Sequence, residues 1–285
     1  MNRDRRFLLI FIIIIAVVCV IAFKYGQARN VSLQAPPQIT AKKAILINGA
    51  TGEVIFELKA DERAYPASTT KIMTALVTLE TMRLWNADIG QKVKVPASAA
   101  GIEGSSIYLN EGEEISIKDL LYGMMLRSGN DAAVALAEII GGNTANFVLM
   151  MNDRALNMGC ISTNFTNPNG LYNENHYTTA REMALISMEA MKDVTFQEIA
   201  SAKSWQAGRQ PGKYNYFYNK NKVVEQYKGG TGIKIGYTEK SGRTLVASAE
   251  REGALLICVV MDAPDWFRDA YALLNYGFSI TKPYK

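Results

Sequence analysis

One histidine and three cysteines among 285 residues remove several classes of chemistry at the outset. Three cysteines cannot build a disulfide framework. Cys19 falls in an apolar run, Cys258 reads as core packing within "ALLICVVM", and Cys160 has no assignable role. A lone histidine with no clustered cysteines gives no zinc-ligand spacing, and neither a metal nor a cofactor is expected. His176, just ahead of a helical pattern in "NENHYTTARE", reads as a cap or loop contact rather than a catalyst. The chain also lacks a basic surface excess. Its net charge of +4 is 31 minus 27, and residues 1–30 alone carry five basic side chains against one acid, so the remainder sums to zero. A nucleic-acid footprint is thereby excluded. No internal repeat is visible.

The one long apolar run is Phe7–Phe23, 17 uncharged residues, about 26 Å as a helix at ~1.5 Å per residue. It nearly covers a bilayer core, with Arg6 and Lys24 able to snorkel at its ends. Arg3, Arg5 and Arg6 precede it, which orients residues 24 onward outside the cytoplasm. We read residues 1–23 as a cytoplasmic tip and membrane anchor, with a cleaved signal peptide as the alternative. Val18 is too bulky for the position before a lipoprotein cysteine. Residues 24–40, with "APPQ", lack apolar periodicity and read as a linker, leaving 41–285 as the folded domain.

Within that domain "KKAILIN", "GATG" and "EVIFEL" give a β-hairpin signal. Apolar spacings of three and four predict helices over Thr69–Met82, Ile117–Leu126, Asp131–Ile140, Thr144–Met158 and Thr179–Lys192. The methionines at 124, 125, 150, 151 and 158 fall on core positions of these helices. Strand signals return at "KSWQA", "GIKIGYT", "RTLVASAE" and "ALLICVVM", followed by a last helix over Asp265–Tyr276. Strands at both ends around a helical middle predict an α/β fold: one antiparallel sheet built from both chain ends, with an inserted helical subdomain. A site at the junction would draw residues from all three parts of the chain.

Three short motifs meet that expectation. "PASTTK" places Ser68 and Lys71 one helical turn apart, at a helix start where free N–H groups favour developing negative charge. A partly buried lysine, its pKa lowered by desolvation and cationic neighbours, takes a serine proton without a histidine. On its own the pattern is weak: Ser279–Lys282 has the same letters, and Ser68 also reads as a simple helix cap. "RSGNDAA" supplies Ser128, able to relay a proton, and Asn130, whose amide can hold a substrate carbonyl; Ser162-Thr163-Asn164 is its decoy. "GIKIGYT" supplies Lys234 as a fixed charge, Gly236 for close backbone approach, and the Tyr237 N–H, which can join that of Ser68 in an oxyanion hole. Lys240-Ser241-Gly242 is the rival third motif, but "TEKSGR" has turn composition. "YNYFYNK", Tyr214–Lys220, reads as a packed loop, with a wall for glycan or peptide as the alternative.

The three motifs in this order resemble those of the serine penicillin-recognising enzymes, S-x-x-K, S-x-N and K-T-G. The flanking stretches "AYPASTTKIMTALVTLE", "MLRSGNDAAVALAE", "MGCISTNFTNPNGL" and "HYTTAREMA" resemble the D-alanyl-D-alanine carboxypeptidases among the low-molecular-weight penicillin-binding proteins, over about residues 36–280. The resemblance implies a transpeptidase-like α/β sandwich with its cleft between sheet and helical subdomain. It also implies removal of the terminal D-Ala from peptidoglycan stem pentapeptides through an acyl-serine, with β-lactams as covalent inhibitors. Ser68 would be the nucleophile, Lys71 the general base, Ser128 the relay, Asn130 a substrate ligand and Lys234 a charge stabiliser. Arg268, in "DWFRDA", resembles a basic residue near the substrate carboxylate.

Two features depart from the family pattern. Many relatives continue into a β-rich C-terminal domain, whereas this chain stops at Lys285. Ile235 stands where the family carries the Thr that bonds the substrate carboxylate. Loss of a hydrogen bond to a charged group, about 1.5–3 kcal/mol, predicts roughly 10- to 150-fold lower kcat/KM, with Thr238 as a substitute donor. That departure separates the leading expectation, a slowed carboxypeptidase, from a peptidoglycan-binding relative without turnover. A β-lactamase is a third alternative.

Overall fold

The computed structural model describes residues 35–280; the expected anchor at residues 7–23 lies outside them. Strands β1 (Lys43–Asn48) and β2 (Val54–Leu58) form the expected hairpin, with the Asn48 carboxamide accepting from the N–H groups of Ala50 and Thr51 at its turn. Helix α1 (Lys71–Leu84) opens the lobe. The ribbon β3 (Lys92–Lys94) and β4 (Glu114–Ser116) follows, then helices α2 (Ile117–Leu126), α3 (Asn130–Gly141), α4 (Thr144–Asn157), α5 (Ala180–Ala190) and α6 (Val194–Ser201). A second ribbon, β5 (Ser204–Gln206) and β6 (Tyr216–Tyr218), and the short helix α7 (Val223–Gln226) lead back to the sheet. The chain closes with β7 (Gly230–Thr238), β8 (Gly242–Arg251), β9 (Ala254–Met261) and helix α8 (Trp266–Ile280).

The five long strands form one antiparallel sheet in the order β2-β1-β9-β8-β7. The sheet expected from both chain ends is the sheet found, and β7 is left at an edge. The central strands are apolar on both faces because both are covered. On one face Leu46, Leu245, Ala247, Leu256, Cys258 and Val260 pack against Ala270, Leu273 and Leu274 of α8. Gly277 lets that helix close in, since a Cβ there would come within 2.7 Å of Leu256 and 2.8 Å of Leu46. Residues expected as the end of a linker belong to this layer: Asp269 accepts from Thr40 N, Thr40 Oγ1 and Ala41 N. On the other face Ile45, Ile47, Val246, Ile257 and Val259 join the larger core of the helical lobe.

Local chemistry sets the helix starts. Ser116, Asn143 and Thr179 accept from the N–H groups of Asp119, Asn146 and Glu182 at the first turns of α2, α4 and α5, each satisfying a donor that the helix leaves free. The expected helix α1 begins two residues later than Thr69, after a 3-10 turn over Ala67–Thr70. That turn carries Ser68.

Candidate active site

The Ser68 turn is clamped from both sides. Ala67 holds a left-handed φ of +49°, and its carbonyl lies where a Cβ on Gly170 would approach to 1.9 Å. From the sheet side, a Cβ on Gly236 would meet Ser68 N at 2.8 Å and Thr244 Oγ1 at 2.6 Å. The Thr244 hydroxyl donates to Pro66 O at 3.1 Å and Thr69 Oγ1 donates to the same carbonyl at 2.6 Å. Glycine at 170 and at 236 is therefore a steric requirement of this turn. Ser68 does not cap a helix: no side-chain cap bond occurs at the start of the turn or of α1. Its hydroxyl instead lies 3.0 Å from Lys71 Nζ.

Lys71 is wholly buried. Its nitrogen donates to Asn130 Oδ1 at 2.7 Å and to Asn169 O at 2.5 Å, and the third contact is Ser68 Oγ. Two acceptors that cannot donate fix two N–H bonds, so the remaining direction on nitrogen faces the serine. In the ammonium it is a third N–H. In the free amine it is a lone pair able to receive the serine proton. Burial, and after it the charges of Lys234 and Lys220, lower the Lys71 pKa well below that of a free lysine, with Asp131 opposing.

Lys234 is buried as well, and donates to Ser128 Oγ and to Ile235 O, each at 3.0 Å. Burial, reinforced by Lys220, brings its pKa down to about 7. Ser128 sits between α2 and α3 at a φ of +63°, a left-handed conformation that is costly for serine and turns its hydroxyl to Lys234. Asn130, the first residue of α3, is anchored by its N–H to Ser105 O and by Nδ2 to Glu103 O, both at 2.7 Å. Direct contacts thus join Ser68, Lys71 and Asn130 in one group and Ser128 and Lys234 in another; Gly236 lies against the Ser68 turn, and the charge of Lys234 acts on Lys71.

Other expected residues lie differently. Tyr237 follows Gly236 with its ring 62% exposed. Arg268 is on the exposed side of α8, paired with Asp265 at 3.0 Å. That helix covers the face of the sheet opposite the helical lobe, and its first residue, Trp266, lines one surface cavity together with Tyr237. Ile235 alternates with Lys234 and Gly236 along β7 and packs half-buried against the α8-side cluster. The Thr238 hydroxyl is taken by Ser241 in the β7–β8 turn, the turn that also holds the rival Lys240-Ser241-Gly242. His176 is buried between Thr70 Oγ1 on Nε2 and the N–H of Thr166 on Nδ1. An Nδ1 that accepts a backbone N–H makes the ring neutral, and burial brings its pKa down to about 4.

The sequence and fold are similar to those of known proteins. The family model for D-alanyl-D-alanine carboxypeptidases matches residues 30–265. The chain belongs to the D-alanyl-D-alanine carboxypeptidase family. It is 37% identical to D-alanyl-D-alanine carboxypeptidase DacF of Bacillus subtilis over 78% of this chain and 57% of that protein. With DacA of Haemophilus influenzae it shares 36% identity over 88% of this chain and 65% of the relative. It therefore spans 57% and 65% of the length of these two curated relatives. The crystal structure of the Streptomyces K15 DD-transpeptidase superposes with a TM-score of 0.80 at 31% identity, covering 86% of this chain and all of that one.

In this member of the family three supports escaped sequence reasoning. Asn169 contributes a backbone carbonyl, which has no side-chain signature. The visible signal is the turn "NPNG", where Asn167 Oδ1 accepts from Gly170 N and Asn169 Oδ1 from Leu171 N. Asp131 is buried beside Asn130 and accepts from Ser106 Oγ, Ile107 N and Leu109 N. Lys220, whose own pKa is lowered by burial and by Arg127, donates to Ser105 Oγ at 3.2 Å. "SGND" and "YNK" contain these last two, but only folding brings the 103–109 segment between them.

Proposed function

We propose that this protein is a serine D-Ala-D-Ala carboxypeptidase that removes the terminal D-Ala from peptidoglycan stem pentapeptides. The observation that carries the proposal is the Lys71 nitrogen, held by two fixed acceptors with its third direction on Ser68 Oγ. As a free amine Lys71 takes the Ser68 proton while Oγ attacks the carbonyl carbon of the scissile peptide bond. Backbone N–H groups of Ser68 and Tyr237 stabilise the oxyanion. The proton passes through Ser128 to the departing D-Ala nitrogen, and water then releases the acyl group from Ser68. Lys234 supplies positive charge for the substrate carboxylate, and Asn130 orients both Lys71 and the substrate.

β-Lactams would acylate the same serine and remain bound. The membrane-anchor reading of residues 1–23 places this chemistry outside the cytoplasm, where peptidoglycan is found. Arg268, exposed in the first turn of α8, would add positive charge for the substrate carboxylate, and Thr238 has no part in the proposal.

The full-length chain, incubated with a fluorescent penicillin and with a D-Ala-D-Ala pentapeptide, should be labelled and should release D-Ala. Ser68→Ala should abolish labelling and lower release by about 10⁴-fold or more. Labelling without release would identify a penicillin-binding protein without turnover. Unchanged release by Ser68→Ala would remove the proposed nucleophile.

A further inference from the structure

A braced pair of tyrosines stands beside the cleft, and the acyl transfer above does not use it. Tyr108 is 69% exposed and holds a left-handed φ of +58°, a conformation unfavourable for a bulky side chain. It is fixed from both ends: its N–H donates to Ser106 Oγ at 2.8 Å and its carbonyl accepts from Arg209 Nη2 at 3.1 Å. The same guanidinium donates to Ile107 O and Tyr214 O, each at 2.8 Å, and pairs with Glu113. The Arg209 and Glu113 side chains are 0% and 6% exposed. A buried ion pair is a poor source of stability unless its remaining bonds are satisfied; here those bonds go to the backbone carbonyls of Ile107, Tyr108 and Tyr214. The Tyr108 and Tyr214 rings meet edge to face with centroids 5.9 Å apart.

This ledge and the cleft share one segment. Ser105 and Glu103, a few residues before Tyr108, accept from Asn130, and Ser105 Oγ accepts from Lys220. Arg127, adjoining Ser128 in sequence, lies with its guanidinium 5.5 Å from the Tyr214 ring centre, and its buried Nε has no hydrogen-bond partner. The ledge therefore offers the exposed Tyr108 ring, backed by the half-buried edge of Tyr214, which packs on Phe217 and the lobe core; Arg127 and Lys220 nearby donate and cannot accept. Its complement is a ring with a C–H-rich face and an acceptor-rich rim, the description of a sugar.

We propose that Tyr108 and Tyr214 form a carbohydrate subsite for the N-acetylhexosamine ring that carries the stem peptide, with Arg127 and Lys220 donating to its amide and ether oxygens. This inference rests on the peptidoglycan substrate proposed above. It makes the enzyme a reader of glycan-linked peptide rather than of peptide alone.

The test compares kcat/KM of the full-length chain on a free pentapeptide and on the same pentapeptide joined to its disaccharide. The disaccharide should raise kcat/KM. Tyr108→Ala and Tyr214→Ala should each reduce that advantage roughly 2- to 12-fold, the range of a lost aromatic contact, while Tyr108→Phe retains it. An advantage unaltered in both alanine variants overturns the subsite. A second measurement is independent of turnover. Full-length Ser68→Ala, titrated with peptide-free oligosaccharide and followed by intrinsic fluorescence, should bind saturably, and more weakly when Tyr108→Ala is added. Binding of free pentapeptide but not of oligosaccharide overturns the assignment to carbohydrate. Failure to turn over either substrate would refute the proposed reaction, and the titration would still decide the subsite.

Discussion

The two faces of β7 differ sharply in chemistry. Lys234 and Gly236 face the helical lobe, against Ser128 and the Ser68 turn. Ile235, between them, packs on the α8 side among purely apolar neighbours such as Leu245 and Leu273. The lobe side buries two lysines, contorts Ala67 and Ser128 into left-handed backbone, and admits no side chain at 236. The α8 side contains none of these liabilities. One strand thus holds a destabilised functional surface in place by anchoring its reverse face in an ordinary core.

The largest way to break this contrast is Gly236→Ala. Its methyl has no room, with Thr244 Oγ1 at 2.6 Å and Ser68 N at 2.8 Å, so the turn must move and the Ser68 N–H must leave its place. Loss of one oxyanion donor costs about 10²–10³ in rate, and β-lactam acylation measured by stopped flow should fall by at least that much. Ile235→Val, one residue away on the other face, should alter acylation by less than about 2-fold and stability by about 1 kcal/mol. Equal effects of the two substitutions would refute the two-faced description.

Lys234→Met tests the cost of the buried charge. The folded pKa of about 7 lies below the ordinary lysine value of 10.5. Between those values the unfolded chain binds a proton that the folded chain does not. The destabilisation is therefore full below about pH 7 and disappears as pH rises towards 10.5. Lys234→Met should stabilise the protein by about 2–4 kcal/mol at pH 6 and by little near pH 10, measured by urea unfolding, while removing most D-Ala release. The same groups shape kcat/KM against pH. Activity should rise as Lys71 loses its proton and fall as Lys234 loses its own near pH 7. Lys220→Gln, which removes a nearby cation, should move the falling limb to higher pH.

Most of this arrangement was legible because its signals are local. Periodicity and turn chemistry placed the Ser68–Lys71 spacing, the "SGN" junction and the alternation of β7, the family resemblance chose them over their decoys, and the sheet followed from strand signals at both ends. What escaped notice has physical reasons. The three-residue strands β3, β4 and β6 are too short to show a period, whereas β5 falls within the expected "KSWQA" signal. Asn169 acts through its backbone, and the Arg209–Glu113 pair joins residues whose partnership no local pattern announces. "YNYFYNK", expected as a loop, contains strand β6 and divides by alternation: Phe217 is buried while Tyr216 and Tyr218 are 55% and 64% exposed.

A modest expected effect belongs to the most conspicuous sequence departure. Period-two alternation places the side chain at 235 opposite Lys234, where it packs against the α8-side cluster. A threonine there would have to reach round the edge of β7 to meet a substrate in the cleft. Ile235→Thr should consequently raise kcat/KM for the pentapeptide by less than about 10-fold, below a fully formed bond to a carboxylate. It should also cost about 1–2 kcal/mol through lost apolar burial and a poorly solvated hydroxyl. Paired measurement of pentapeptide kinetics and urea midpoint separates the two terms. A gain near 100-fold at unchanged stability would mean that the edge of β7 opens the 235 side chain to the cleft, and that the contrast between its faces ends one residue earlier than the packing indicates.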